Sequence, residues 1–389
     1  MSNTNILTPN PGTQSSNATS SGFNILIIDD EEYIVDFLRE ALNFWGYATQ
    51  VATKVADALE ILKSSKINLL LTDKNIESED SGLELALQAK KIAPEIMIFL
   101  ITGNFVDDET LKFCEKNSIT FLQKPIRSNE LKILITNTYN NYQREIELKS
   151  DINAAKKIIE GALPKSLPVY DGIEFYGVYK PVFDIGGDFY DFVKLNSNEC
   201  VFYLCDVQGH GIQAALFANT IRTFFKVFAE STSNLSELAY KLNNCMCAET
   251  HSNSMATGIF LRFNALTSEV NYVNAGHEYP LYYDSATGEI SEIASTGTIL
   301  AIFENSNYED KTLKLKPGDI LMVYTDGVCD NYGINNKTFS IEKIKEIFKK
   351  FHNESAEFIS LKIFSEIHKQ LGGNPQQDDL AFLMVKKQK

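Results

Sequence analysis

The chain has 389 residues, 44% of them hydrophobic, which suits two domains and a connector better than one ordinary domain. Its 51 acidic and 36 basic residues leave a formal net charge of −15, which argues against sequence-independent nucleic-acid binding and against a polybasic membrane anchor. The six cysteines (Cys114, Cys200, Cys205, Cys245, Cys247 and Cys329) include no CxxC pair, so they point to reduced thiols and a cytoplasmic setting rather than to zinc.

Residues 1–22 are rich in Ser, Thr, Asn, Pro and Gly and read as a disordered tail without a signal-peptide pattern. No apolar stretch approaches membrane-spanning length, so no membrane association is expected. From Asn24 to about Asn137, short apolar runs alternate with amphipathic ones. Strands are expected at Asn24–Ile28, Ala48–Ala52, Leu69–Thr72, Ile96–Ile101 and Ile119–Leu122, with helices near Glu31–Phe44, Val55–Lys63, Leu83–Ile92 and Asp107–Asn117. That alternation predicts an α/β doubly wound domain on a five-stranded parallel sheet, over residues 23–138.

Ligands of such sheets bind beyond the carboxyl ends of the strands. Polar residues stand there in order: Asp29 and Asp30, Asp73, Thr102 and Lys124. One such residue is ordinarily a cap, but this ordered set argues for a pocket. Its acids can hold Mg²⁺, Asp73 can attack a phosphoryl donor, and Lys124 and Thr102 can stabilise the new phosphate. On these residues the segment Phe23–Thr138 resembles the response-regulator receiver domain of two-component signalling. The resemblance implies phosphorylation of Asp73 by a histidine kinase or phosphotransfer protein. It also implies Mg²⁺ held by Asp29, Asp30, Asp73 and the carbonyl of Asn75, and Phe121 at the aromatic switch position. The loop DKNIESEDSG departs from the family, with no proline after the phosphoacceptor and one extra residue before Gly82.

Residues 139–165 read as a helical linker. Leu148, Ile152, Ala155, Ile159 and Ala162 recur at coiled-coil spacing, which fits either a homodimer seam or packing on the chain's own domain. Pro164 and Pro168 then end the helix.

Residues 166–389 are richer in β patterns. Strands are expected at Ile173–Tyr179, Cys200–Cys205, Gly258–Phe263, Val270–Asn274, Ile320–Tyr324 and Leu380–Val385, with helices at Gln213–Ala229 and Leu235–Glu249. This predicts an α+β domain with a sandwich core. Four aspartates lie at strand edges beside small residues: Asp188 in GGD, Asp206 in CDVQGHG, Asp326 in TDG and Asp378 in QQDDL. Each alone reads as a turn, whereas the four together can form an all-oxygen cage for Mg²⁺ or Mn²⁺.

With ALPKSLP, KPVFDIGGDFYDF and NAGHEYP, these motifs resemble the PPM family of metal-dependent serine/threonine phosphatases, in its SpoIIE-like branch, over about Ala154–Val385. The resemblance implies a β-sandwich flanked by helices and two Mn²⁺ or Mg²⁺ ions. Asp206 would bridge them, and the Val207 carbonyl, Asp326, Asp378 and Asp188 would complete the set. It implies hydrolysis of a phosphoserine, with a STAS-type anti-anti-sigma protein as substrate in a partner-switching pathway. Asp378 is chosen over Asp379 by motif position. Ala381 replaces the family's threonine, which keeps a pseudo-phosphatase adaptor or scaffold as the alternative. His210 and His277 are expected to be structural.

Overall fold

A computed structural model describes residues 22–103, 108–249, 254–331 and 338–389. The expected tail, apart from Gly22, and Asp107 lie outside these residues. The chain divides into two compact units, Met1–Glu147 and Leu148–Lys389. Among the described residues no helix is long and apolar enough to cross a membrane.

In the first unit, strands β1 (Asn24–Ile28), β2 (Ala48–Ala52), β3 (Leu69–Asp73), β4 (Met97–Thr102) and β5 (Thr120–Gln123) alternate with helices α1 (Glu32–Phe44), α2 (Val55–Ser64), α3 (Ser81–Ile92) and α4 (Asp108–Lys116). The sheet is parallel, in the order β2-β1-β3-β4-β5. Alternate residues of β1 and β3 feed two cores. Leu26, Ile28 and Leu70 pack with residues of α2 and α3, and Ile25, Ile27, Leu69 and Leu71 with α1. All five residues of β3 are therefore buried. The register sets Ile28 beside Thr72 and Thr102 beside Gln123, so the carboxyl ends form one edge.

Helix α5 runs unbroken from Ser128 to Ala162, as the missing Pro and Gly imply. Its first turns bury Leu131 and Ile135. Tyr139 and Tyr142 then pack on Phe23 at centroid distances of 5.3 and 5.1 Å, so the packing of this unit extends past Thr138. The coiled-coil stripe is split. Leu148 is exposed, whereas Ile159 and Ala162 line a small cavity with Ala215, Ala218 and Asp188 of the second unit.

The second unit is a sandwich. One sheet has the order β13-β10-β9-β8-β7, formed by β7 (Phe189–Lys194), β8 (Glu199–Val207), β9 (Ala256–Asn264), β10 (Glu269–Ala275) and β13 (Lys311–Lys314). The other has the order β12-β11-β14-β15-β6, formed by β6 (Ile173–Lys180), β11 (Leu281–Tyr283), β12 (Ile290–Glu292), β14 (Ile320–Tyr324) and β15 (Leu380–Lys387). Phe202, Leu204, Ile259 and Leu261 meet Leu321, Val323, Leu383 and Val385 between the sheets. Helices α6 (Gly211–Ser231) and α7 (Leu235–Glu249) cover the outer face of the first sheet, and α8 (Ile341–Phe351) and α9 (Ala356–Leu371) that of the second.

The structure adds β7, β11–β13, α8 and α9 to the expected elements. The signal for α8 was present: Ile344, Ile347 and Phe348 fall on one buried face, and the Ser340 hydroxyl caps its start. Strand β7 was obscured because a carboxylate interrupts its apolar run. Asp191 is buried and pairs with Arg222 Nε at 2.5 Å and Lys226 Nζ at 3.0 Å, both from α6. Arg222 also donates to the Ala162 carbonyl at the end of α5. Asp191→Ala would leave the Arg222 guanidinium without its buried partner. Chemical denaturation should show a loss of about 3 kcal/mol, with Asp191→Asn milder. Unchanged stability would reduce the pair to a passive contact.

Candidate functional site

The two units carry separate acidic sites. At the carboxyl edge of the parallel sheet, Asp29 is buried, accepts the Glu31 N–H at 2.9 Å and accepts from Lys124 Nζ at 2.9 Å. Lys124 also pairs with Asp73, whose other oxygen accepts the Asn75 N–H at 2.7 Å. Burial raises the Asp29 pKa, against hydrogen bonds from Glu31 N–H and Lys124. Burial opposes charge on Lys124, but its bonds to Asp73 and Asp29 prevail and hold the ammonium charged. Thr102 is buried on the adjacent strand end, Asp30 is exposed at the rim, and Phe121 turns an exposed ring outward.

The unusual loop after Asp73 folds on itself. Asn75 Oδ1 accepts the Asp80 N–H at 2.9 Å, and Asp80 takes a left-handed φ of 60°. Gly82 then passes so close to the Asp73 carbonyl that a Cβ there would lie 1.8 Å from its oxygen. The extra residue is thus absorbed at Asp80, and the glycine requirement is kept.

In the sandwich, antiparallel pairing gathers the other acids. Asp188 precedes β7 and Asp206 lies near the end of β8, where Phe189 pairs with Cys205. Asp326 follows β14 and Asp378 precedes β15, where Tyr324 pairs with Phe382. A side chain on Gly327 would place its Cβ 1.7 Å from the Asp379 carbonyl oxygen, so the TDG glycine lets these two segments close.

Their electrostatics report crowding. Burial, then Asp206, pushes Asp188 well above the usual carboxylate range, although a Thr325 hydrogen bond opposes this. Burial and the charges of Asp326 and Asp378 push Asp206 up to about 7. Burial, Asp378 and Asp330 push Asp326 up to about 6. Burial also raises Asp378.

Among the described residues, no group of three or more Asp, Glu, His or Cys side chains is drawn together closely enough to hold a metal ion as it stands. The donor chemistry nevertheless fits divalent cations. Asp188 Oδ2 is buried without a hydrogen-bond partner, and the mutual repulsion is what bound cations would relieve. The Val207 carbonyl faces the GGD loop, 3.0 Å from where a Gly187 Cβ would stand.

Asp379 Oδ1 accepts the Val182 N–H at 2.8 Å and its Oδ2 the Gly187 N–H at 2.7 Å, so it anchors the GGD loop, while Asp378 Oδ1 accepts the Asp379 N–H at 2.8 Å. Thr325 supplies a hydroxyl beside Ala381. Its Oγ1 accepts the Ala381 N–H at 3.0 Å and lies 3.2 Å from the Ala381 carbonyl. Asn331 joins the TDG and QQDD segments, donating to the Gly327 carbonyl at 2.5 Å and accepting the Asp378 N–H at 3.0 Å. Sequence reading missed Asn331, Thr325 and Asp330, and only Thr325 had a signal, as the first residue of TDG.

His277 is fully packed. Its Nδ1 lies 2.8 Å from Thr257 Oγ1, and burial pushes its pKa down to about 4, so it is a neutral framework residue. His210 is exposed, its ring 5.1 Å from Phe183.

Residues 196–388 match the family described as Stage II sporulation protein E (SpoIIE), and residues 25–136 match the response regulator receiver domain. The chain joins a receiver domain to a SpoIIE-type PPM phosphatase domain. It is 26% identical over 284 residues to Protein IcfG of Synechocystis sp., covering 66% of this chain and 44% of that protein. It is 25% identical over 184 residues to Phosphoserine phosphatase RsbU of Bacillus subtilis, covering 47% of this chain and 55% of that protein. The chain thus spans about half the length of these curated relatives. In fold, the SpoIIE-type domain is similar to the SiaA-PP2C domain of Pseudomonas aeruginosa, with TM-score 0.55 and 16% identity over 62% of this chain and 98% of that one. The RsbU and RsbW domains of Rv1364c from Mycobacterium tuberculosis give TM-score 0.50 and 20% identity over 58% of this chain and 63% of that one.

The raised carboxylates of the SpoIIE-type domain set a pH dependence. Asp206 and Asp326 titrate near 7 and 6 when folded, against an ordinary 3.8, so the metal-free fold binds more protons than the unfolded chain between about pH 4 and 7. Metal-free stability should fall as pH rises through that window. Added Mn²⁺ should restore it, more strongly at higher pH, in thermal melts. A flat metal-free profile would mean the acids are not crowded in solution.

Proposed function

We propose that this chain is a response regulator in which phosphorylation of Asp73 controls a metal-dependent protein serine/threonine phosphatase. The convergence of Asp188, Asp206, Asp326 and Asp378, with the partnerless Asp188 Oδ2, carries the reading. Asp206, whose charge acts on Asp188 and which feels Asp326 and Asp378, would hold two Mn²⁺ or Mg²⁺ ions with the Val207 carbonyl, Asp326, Asp378 and Asp188. Bound there, the cations would offset phosphate charge and acidify water for attack on phosphorus. Asp379 and Asn331 would keep the ligand segments in place. The buried Thr325 hydroxyl would orient Asp188, which makes a catalytically silent adaptor the weaker reading.

In the receiver domain, Asp73 would accept the phosphoryl group from a histidine kinase or phosphotransfer partner. Mg²⁺ would sit with Asp29, Asp30 and the Asn75 carbonyl, and Lys124 would move from carboxylate to phosphate. Thr102 and Phe121 would read the change. The substrate class follows from relatives named phosphoserine phosphatases, RsbU and RsbP of Bacillus subtilis. A phosphoserine STAS-type protein in a cytoplasmic partner-switching pathway fits that class, and a homodimer through the linker remains compatible with exposed Leu148.

Wild-type protein should release phosphate from p-nitrophenyl phosphate and from phosphoserine peptides with Mn²⁺ present. Asp326→Asn should lower the rate at least about a hundredfold. Equal, background-level rates for both would remove the enzyme reading. Beryllofluoride, which mimics the phosphoryl group on Asp73, should activate wild type about fivefold and leave Asp73→Ala unresponsive. The same rates with and without it in wild type would remove receiver control.

A further inference from the structure

The catalytic acids face a chain of strong negative charge, and a phosphoserine adds about two more negative charges. Long-range attraction therefore does not favour a phosphoprotein, and bound cations offset repulsion only locally. Yet one segment that borders the site carries no acidic residue. From Val207 to Ala229 the sequence has no Asp or Glu, although the chain holds 51 of them. That segment is the turn after Asp206 followed by α6, whose Ala215, Ala218 and Arg222 line a small cavity with Asp188.

Along it the structure exposes apolar groups. Ile212 is 48% exposed and Leu216, one turn later on the same helix face, 62%. Phe183 is 55% exposed, and its ring lies 5.1 Å from that of His210, the residue that caps α6. The Phe183 loop is held on both sides. The Val182 N–H donates to Asp379, and Asp184 accepts from Lys156 of α5 at 3.0 Å. Phe183 is thus displayed on an anchored loop beside the metal ligands.

We propose that Phe183, Ile212 and Leu216 form a docking rim for a phosphoprotein that presents apolar side chains beside its phosphoserine. The proposal rests on the phosphatase reading. A phosphate that reaches Asp206 brings its carrier over the Gln208–Gly211 turn and the first turns of α6. Leu216 then lies within about five extended residues of the phosphoserine, at roughly 3.3 Å per residue. Apolar contact supplies the affinity and selectivity that charge does not.

Two phosphoserine peptides of equal charge test this, one with Leu four and five residues from the phosphoserine and one with Ser there. With Mn²⁺, the full chain should show about tenfold higher kcat/KM for the Leu peptide, mostly through KM. Phe183→Ala and Leu216→Ser should each lessen that preference, while p-nitrophenyl phosphate hydrolysis reports that the fold and metal site survive. Fluorescence anisotropy of the labelled peptides on the same proteins gives a readout independent of turnover. No discrimination between the peptides in wild type overturns the proposal. So do variants that slow both peptides and p-nitrophenyl phosphate alike, or that convert a dimer to a monomer while the preference stays. If p-nitrophenyl phosphate is not hydrolysed but the Leu peptide still binds more tightly, the rim stands and the phosphatase reading fails.

Discussion

Carboxylates crowded at one end of the sandwich are the constraint on which the second unit turns. Burial raises the pKa values of Asp188, Asp206, Asp326 and Asp378 most, and neighbouring carboxylates add to each shift. Such a cluster is not self-assembling. It is imposed by two antiparallel strand pairs, β7 with β8 and β14 with β15, whose backbone bonds are far more numerous than the repelling groups. Asp379 and Asn331 complete the enforcement by tying the GGD loop, the TDG turn and the QQDD segment together. The domain spends stability to hold a site that cations would relax.

The receiver domain resolves the same problem differently. Its buried acids, Asp29 and Asp73, share the Lys124 ammonium, which offsets part of their charge from within the chain. A phosphoryl group on Asp73 would compete for that lysine. A single cation on a long side chain, reaching from the end of β5 to two other strand ends, is well placed to report such a change. Among the described residues of the sandwich, no ion pair joins a lysine to Asp188, Asp206, Asp326 or Asp378.

Legibility followed the physics. Strands β1 and β2, and β14 in the other unit, coincide with the sequence reading, and for β1 and β14 the reason is a near-continuous apolar run that leaves little choice. Helix α5 ran on as its missing breakers required. Strand β7 was hidden because Asp191 sits in its apolar face, tolerable only beside Arg222 and Lys226 from a distant helix. The preference for Asp378 over Asp379 rested on motif position alone. The two backbone N–H groups that occupy the Asp379 carboxylate come from a loop almost two hundred residues earlier.

The sequence by itself determined the two-unit plan, the parallel sheet, the sandwich class and the strand-end polar residues. These follow from local periodicity and from glycines beside aspartates, which need no knowledge of distant contacts. Tertiary structure alone decided which neighbouring carboxylate is spent on the backbone, and that Thr325 supplies a hydroxyl beside Ala381. It also decided that Asn331 bridges two ligand segments and that Phe183 stands exposed beside His210. Each of these depends on groups far apart in the chain meeting within hydrogen-bond or van der Waals distance, and only the closed strand pairings bring them together.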